Sequence, residues 1–147
     1  MLIRLARDGD LEEILRLLAA DALQPESVGP PAPACYANAF RAMQADPNNQ
    51  IWVAEKDGRV AGTFQLTFIR HLMRRGRDVA QIESVRIARE LRGQGLGAEL
   101  MRFAVERARE RGCSRVQLTS DKSRADAHRF YERLGFTRSH EGFKLML

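Results

Sequence analysis

The spacing of apolar positions changes period several times along the chain, and each change predicts an element. Leu2 to Ala6 predicts a first strand. Asp8 is placed to cap a helix in which Leu11, Ile14, Leu15 and Leu18 recur at helical spacing. Gln24 to Ala34 contains Pro25, Gly29, Pro30, Pro31 and Pro33, which predicts an irregular loop. Tyr36, Phe40 and Met43 then fall on one face of a short second helix. Ile51 to Glu55 and Val60 to Ile69 predict two strands. Asp57-Gly58 between them is a hairpin signal, because a two-residue turn needs positive φ at both positions. After the basic loop Arg70 to Asp78, Val79 to Ile87 predicts another strand.

The longest helical pattern runs from Leu96 to Arg111. Leu96, Leu100, Phe103, Ala104 and Ala108 face inward, and Glu99, Arg102, Glu106, Arg109 and Glu110 face water. Gly112 is placed to end it. Val116 to Thr119 predicts a strand. Ala125 to Leu134 predicts a helix with Ala127, Phe130, Tyr131 and Leu134 on one face and Gly135 at its end. Phe136 starts a further strand, and Phe143, Leu145 and Leu147 alternate in a last one. The order β-α-α-β-β-β-α-β-α-β-β describes a mixed α/β sheet with no internal repeat. At 147 residues it is expected to be a single domain, 1–147.

Composition narrows the picture only slightly. The 24 Lys and Arg against 19 Asp and Glu leave a net charge of +5. That suits an anionic ligand or nucleic acid equally. The basic residues are spread along the chain, without a concentrated basic helix or an aromatic stacking platform, so no nucleic-acid partner is expected. No apolar run reaches the length of a membrane span, so no membrane partner is expected. The two cysteines suggest no disulfide framework, and the start of the chain has no signal-peptide layout; a cytoplasmic location is expected. No pair of the three histidines has metal-ligand spacing on one element, and no metal is expected.

The chemistry concentrates at Leu91-Arg92-Gly93-Gln94-Gly95-Leu96-Gly97, which leaves a strand and enters a helix. Such a turn can aim several N–H groups at one point, and the helix start adds partial positive charge. A phosphate is the natural guest. The Gly-Lys-Ser/Thr ending of a Walker A loop is absent, and the glycines do not follow the Gly-x-Gly-x-x-Gly dinucleotide spacing.

Arg92-x-x-Gly95-x-Gly97 resembles the acetyl-CoA signature of the GNAT N-acetyltransferase superfamily. Ala127-His128-Arg129-Phe130-Tyr131-Glu132-Arg133-Leu134-Gly135-Phe136 resembles that family's second hallmark, a Tyr-bearing helix ending in Gly-Phe. Both stand in the family's order and separation, so the resemblance covers essentially the whole chain. It implies a mostly antiparallel central sheet of about six to seven strands flanked by about four helices, with a V-shaped splay between the central strands. It also implies acetyl-CoA as co-substrate. The backbone of Arg92, Gly93, Gln94, Gly95, Leu96 and Gly97 would hold its pyrophosphate. Val85, Arg86 and Ile87 would line the pantetheine arm, with Val85 and Ile87 bonding it through their backbones. Many members place an Asn about seven residues before the Tyr. Here Arg124 stands there, to meet a CoA phosphate or simply to face solvent.

The resemblance places Tyr131 beside the sulfur of CoA. A phenol, with pKa near 10, can protonate a leaving thiolate whose conjugate acid lies near 8.5 when geometry helps. The incoming amine has the opposite need, being only about one part in a thousand neutral at pH 7. Glu83 lies two residues before Val85 in an otherwise uncharged run, as a base or an ammonium-binding group. His71 and His128 are further candidates for the acceptor pocket. Arg70, His71, Arg74, Arg75 and Arg77 would favour an acceptor with an acidic group beside its amine, or would form an ordinary solvated loop. A small-molecule amine is the leading acceptor. A protein Lys or N-terminus and a non-catalytic CoA-binding module are the alternatives. The apolar alternation at Phe143, Leu145 and Leu147, together with the family's habit, implies a homodimer.

Overall fold

A computed structural model describes residues 1–20, 22 and 34–147. The proline-rich loop Gln24 to Ala34 lies, except for Ala34, outside the described residues. The chain forms two compact units, Met1–Gln117 and Leu118–Leu147.

Four strands of the first unit form an antiparallel meander: β1 (Leu2–Leu5), β2 (Asn49–Lys56), β3 (Arg59–Ile69) and β4 (Val79–Ile87). β5 (Arg115–Leu118) joins beyond β4, so the order is β1-β2-β3-β4-β5. The β2–β3 turn has the expected chemistry, with Asp57 at φ 53° and Gly58 at φ 74°. The helices are α1 (Leu11–Ala19), α2 (Ala34–Ala45), α3 (Leu96–Glu110) and, in the second unit, α4 (Ala125–Arg133).

Strand parity sorts the side chains of the meander. Phe64, Leu66, Phe68 and Ile82 are buried. On that face Trp52 meets Phe103 of α3 edge-on, with ring centroids 4.8 Å apart, and Phe64 meets the same ring at 6.4 Å. On the other face Ile14 and Leu17 of α1 and Phe40 of α2 close over Val53, Val60 and Ala88. The helical period of α3 buries Leu96, Leu100, Met101, Ala104 and Ala108; Phe103 is only half-buried, and Met101 takes the place that the sequence pattern gave it. Gly62 is required by space. A Cβ there would lie 2.7 Å from Ile87 Cδ1 and 2.9 Å from the Arg86 carbonyl.

Two expectations need correction. The first is that Asp8 caps α1. Asp8–Asp10 forms a 3₁₀ turn and Asp10 takes the cap position. The Asp10 carboxylate accepts from the Arg7 N–H at 2.7 Å and from Arg4 Nη1 at 2.6 Å, which ties β1 to the helix start. The second is the strand count. Among the described residues the sheet has five strands, not six or seven, because Phe136 and the segment from Phe143 to Leu147 are in no strand. Alternation makes a strand only where a neighbouring strand supplies ladder bonds and a face to pack on. Phe143, Leu145 and Leu147 are instead almost fully exposed.

Candidate active site

β4 is regular until Glu83 and then bulges. Gln65 pairs with Glu83 and Thr63 with Arg86, so three steps along β4 oppose two along β3. Ser84 absorbs the extra residue at φ 54°, a left-handed conformation that a non-glycine residue adopts only when its surroundings impose it. Ser84 itself carries no local signal of this, since serine is not a residue that turn chemistry singles out for positive φ. Beyond the bulge Val85, Arg86 and Ile87 are half-buried. The Val85 carbonyl accepts from Arg86 Nη1 at 2.9 Å, and the Ile87 carbonyl accepts from Arg92 Nε at 3.2 Å.

After buried Ala88 and a 3₁₀ turn at Arg89–Leu91, the chain reaches the glycine turn. Gly93 has φ 75° and Gly95 φ 83°, so both are required by conformation. A Cβ on either would meet nothing within 4 Å, so the space above the turn is open. Gly95 caps α3 and Leu96 is buried beneath it, anchoring the turn in the core. Gly97 is already helical. The first N–H groups of α3 have no acceptor within the helix. Lys56, at the end of β2, comes within 3.5 Å of Gln94 Oε1 and adds a cation beside the turn. Its place in the hairpin could not be tied to the turn by sequence spacing. A phosphate fits this donor set: open space, orphaned backbone donors and nearby cations.

Glu83 is exposed and makes no ion pair or side-chain hydrogen bond among the described residues. Its neighbours on the same strand face are polar, Gln81 and the paired Gln65. The β3–β4 loop carries Arg74, Arg75 and Gly76 all at positive φ, with Leu72 and Met73 exposed. Arg70 pairs with buried Asp78 at 3.4 Å, so one of the loop's cations is already committed to structure. His71 Nδ1 accepts the Met73 N–H at 3.1 Å, a local bond that shapes the loop. Burial pushes the Cys113 thiol up, and Asp78 nearby adds to the effect. A thiol held neutral in this way is a poor nucleophile.

In the second unit, Tyr131 is half-buried between Phe130 and Phe136, with centroids 5.2 and 6.0 Å away. The Leu134 and Phe136 N–H groups both bond the Tyr131 carbonyl, and Gly135 at φ 88° makes that reversal possible. Arg124 precedes the first residue of α4. The ring of His128 bonds the Asp121 carbonyl at 2.8 Å, which gives it a structural task in closing the loop before α4. The Asp121 carboxylate takes the Ser123 hydroxyl and N–H, and these hold it below the usual carboxylate range. The Ser120 hydroxyl is buried without a hydrogen-bond partner among the described residues. Among the described residues no group of three His, Cys, Asp or Glu side chains could hold a metal ion. No described helix is long and apolar enough to cross a membrane.

A bulged strand feeding a core-anchored glycine turn at a helix start defines an α/β protein whose helix start suits a phosphate-bearing ligand. Residues 11–136 match the acetyltransferase (GNAT) family model, and the chain belongs to that family. Its members transfer an acetyl group from acetyl-CoA to an amine, and this chain is accordingly an N-acetyltransferase. It is 44% identical to a transcriptional regulator of known structure from Bacillus halodurans C-125, with TM-score 0.95 over 99% of both chains. It is 33% identical to the aminoalkylphosphonate N-acetyltransferase of Salmonella typhimurium, over 74% of this chain and 70% of that one. It is 36% identical to the glucosamine 6-phosphate N-acetyltransferase of Trypanosoma brucei brucei, over 63% of this chain and 60% of that one.

Proposed function

We propose that the protein transfers the acetyl group of acetyl-CoA to the primary amine of a small molecule, with residues 1–147 acting as one catalytic domain. The observation that carries this reading is the β4 bulge running into the Gly93–Gly97 turn. The bulge bends β4 away from regular pairing, which supports the V-shaped splay expected for the pantetheine arm. Val85, Arg86 and Ile87 line that arm. Their two engaged carbonyls require Arg86 and Arg92 to move or to share them. The backbone of Arg92 to Gly97 holds the pyrophosphate, with Lys56 and Arg124 as added cations.

Acetyl-CoA supplies an activated acyl carbon and a good leaving group. The amine nitrogen forms a bond to that carbon and the carbon–sulfur bond breaks. Glu83 takes the amine proton, directly or through water, or holds the ammonium; the Tyr131 hydroxyl gives a proton to the departing sulfur. No covalent acyl-enzyme is needed, and the neutral Cys113 thiol is unsuited to form one. Relatives named for aminoalkylphosphonates and glucosamine 6-phosphate support a small acceptor. His71 and His128 have local structural bonds and act at most at the edge of such a pocket.

The test is thiol release from acetyl-CoA with a panel of small amines, beside thermal denaturation with acetyl-CoA alone. Saturating acetyl-CoA should raise the melting temperature, by about 2.7 kcal/mol of stability at a hundredfold excess over Kd. Stabilisation without release for any amine would leave a CoA-binding module; no stabilisation would sink the reading altogether. The apolar C-terminal end, with Phe143 94% and Leu145 86% exposed, supports a homodimer that covers it. A solution mass of 16.7 kDa at micromolar concentration would refute the dimer.

A further inference from the structure

The sheet face that carries Glu83 changes character partway along. Near α1 and α2 it is apolar, with Ile51, Val53 and Val60 packed beneath them. Past Thr63 it becomes a neutral polar row crossing four strands. Register sets Asn49 opposite Thr67, Thr67 opposite Gln81, and Gln65 opposite Glu83. Gln65 Nε2 donates to Asn49 Oδ1 at 3.0 Å and to Thr67 Oγ1 at 3.4 Å, and Thr67 Oγ1 reaches the same Asn49 oxygen at 3.4 Å. Gln117 Nε2 donates to Gln81 Oε1 at 2.8 Å and extends the row onto β5. All five amide or hydroxyl side chains are half-buried.

An ordinary solvated sheet face alternates apolar with freely exposed, often charged residues. This row differs on three counts. Its members other than Glu83 are neutral, they are ordered by bonds to one another, and they still have capacity to spare. By the side-chain inventory, Asn49 Nδ2 and Gln81 Nε2 remain as donors and Gln65 Oε1 as an acceptor. The charge on this row is Glu83, which has no partner among the described residues. Neighbouring strands lie about 5 Å apart and alternate residues about 7 Å apart along a strand. The free groups of Gln65 and Gln81 are thus placed one small-molecule length from the carboxylate.

We propose that Gln65 and Gln81, ordered by Asn49, Thr67 and Gln117, are specificity residues for the acceptor. They hydrogen-bond hydroxyl or amide groups on the carbon skeleton whose ammonium sits at Glu83. The acceptor class is then a small hydroxylated amine, an amino alcohol or amino sugar, rather than an alkyl or arylalkyl amine. The inference rests on the reading that Glu83 meets the amine.

The test compares kcat/KM for matched pairs, each a hydroxylated amine and its deoxy analogue of equal length. It uses the wild-type protein, Gln81→Met and Gln65→Met, which keep side-chain length without the amide. A site built to bond a hydroxyl discriminates strongly against its absence, so the wild-type ratio should be at least about tenfold. Each Met variant should bring the ratio toward one by raising KM for the hydroxylated amine. The deoxy amine's kcat/KM and the KM for acetyl-CoA should not change, and the melting temperature should fall only by the little that the lost Asn49, Thr67 or Gln117 bond contributes. Those unchanged readouts separate recognition from a merely structural role. Turnover with a ratio near one in the wild type, or a ratio that survives in both variants, overturns the inference while the proposed function stands. No turnover with any amine means that the proposed function fails first and this inference falls with it.

Discussion

α3 and α4 each follow or precede a glycine at positive φ and each carries a family hallmark, yet they are held in place differently. α3 has fifteen residues and buries five of them, with Leu100 and Ala104 fully enclosed. α4 has nine residues and buries none. Its order comes from local devices: the Phe130–Tyr131–Phe136 ring contacts, the Gly135 reversal and the Asp121 loop. Burial therefore secures the glycine turn, while the ring contacts of Phe130 and Phe136 hold the Tyr131 ring. The comparison separates two kinds of failure. Damage to α3 should cost the fold, and damage to α4 should cost the chemistry.

The largest expected effect is on stability. Leu100→Ala removes a fully buried side chain and should cost about 2–5 kcal/mol in denaturant unfolding. Phe136→Ala removes a half-buried ring whose aromatic pairing is worth about 0.5–1.5 kcal/mol beyond its burial, and should cost distinctly less. Equal costs would erase the distinction between the two helices.

Next comes turnover. Tyr131→Phe keeps the ring contacts and deletes the hydroxyl, so stability should lose no more than one hydrogen bond's worth, about 0.5–1.5 kcal/mol, while kcat falls about a hundredfold. Glu83→Gln, on an exposed side chain with no described partner, should likewise spare stability and shift the pH–rate profile. If Tyr131→Phe turned over at the wild-type rate, α4 would be structural after all. If Glu83→Gln kept the wild-type profile, Glu83 would only bind the ammonium.

Much of this contrast is legible in the residues, and the exceptions have physical causes. Leu96, Leu100, Ala104 and Ala108 recur at the helical period, so the buried face of α3 follows from spacing. Asp57-Gly58, Gly93 and Gly95 announce their positive φ, since few other residues adopt it at low cost. The bulge in β4 is implied by the family resemblance but its place at Ser84 is not legible in local spacing, because its cause is the pairing of β4 with β3, a contact between distant residues. The C-terminal alternation misleads for the same reason: Phe143, Leu145 and Leu147 have a strand's pattern without a strand's neighbour. The polar row from Asn49 to Gln117 is likewise assembled by register, so its members look unremarkable one at a time.

The smallest expected effect concerns acid. In the first unit Arg4 holds Asp10 below the usual carboxylate range, burial opposes the shift, and the Arg7 N–H assists it. The Asp10 side chain is only 11% exposed, and Arg4 also reaches Glu55 at 2.9 Å. In the second unit Lys122 holds Glu141 low in the same direction, across a pair 83% and 69% exposed. A carboxylate whose folded pKa is depressed contributes stability that is fully present above its unfolded value, about 3.9 for Asp. That contribution is lost as pH falls through the lower folded value. Stability should therefore be flat from neutrality to about pH 5 as far as Asp10 is concerned, and fall below about pH 4. Asp10→Asn should flatten that acid limb and lower stability at pH 7, because Arg4 loses its main partner. Glu141→Gln should leave the limb in place, because water and salt screen an exposed pair. Urea unfolding at a series of pH values, at low and high salt, reads both variants. An acid limb that vanished with Glu141→Gln and persisted with Asp10→Asn would overturn the contrast between the buried pair and the exposed one.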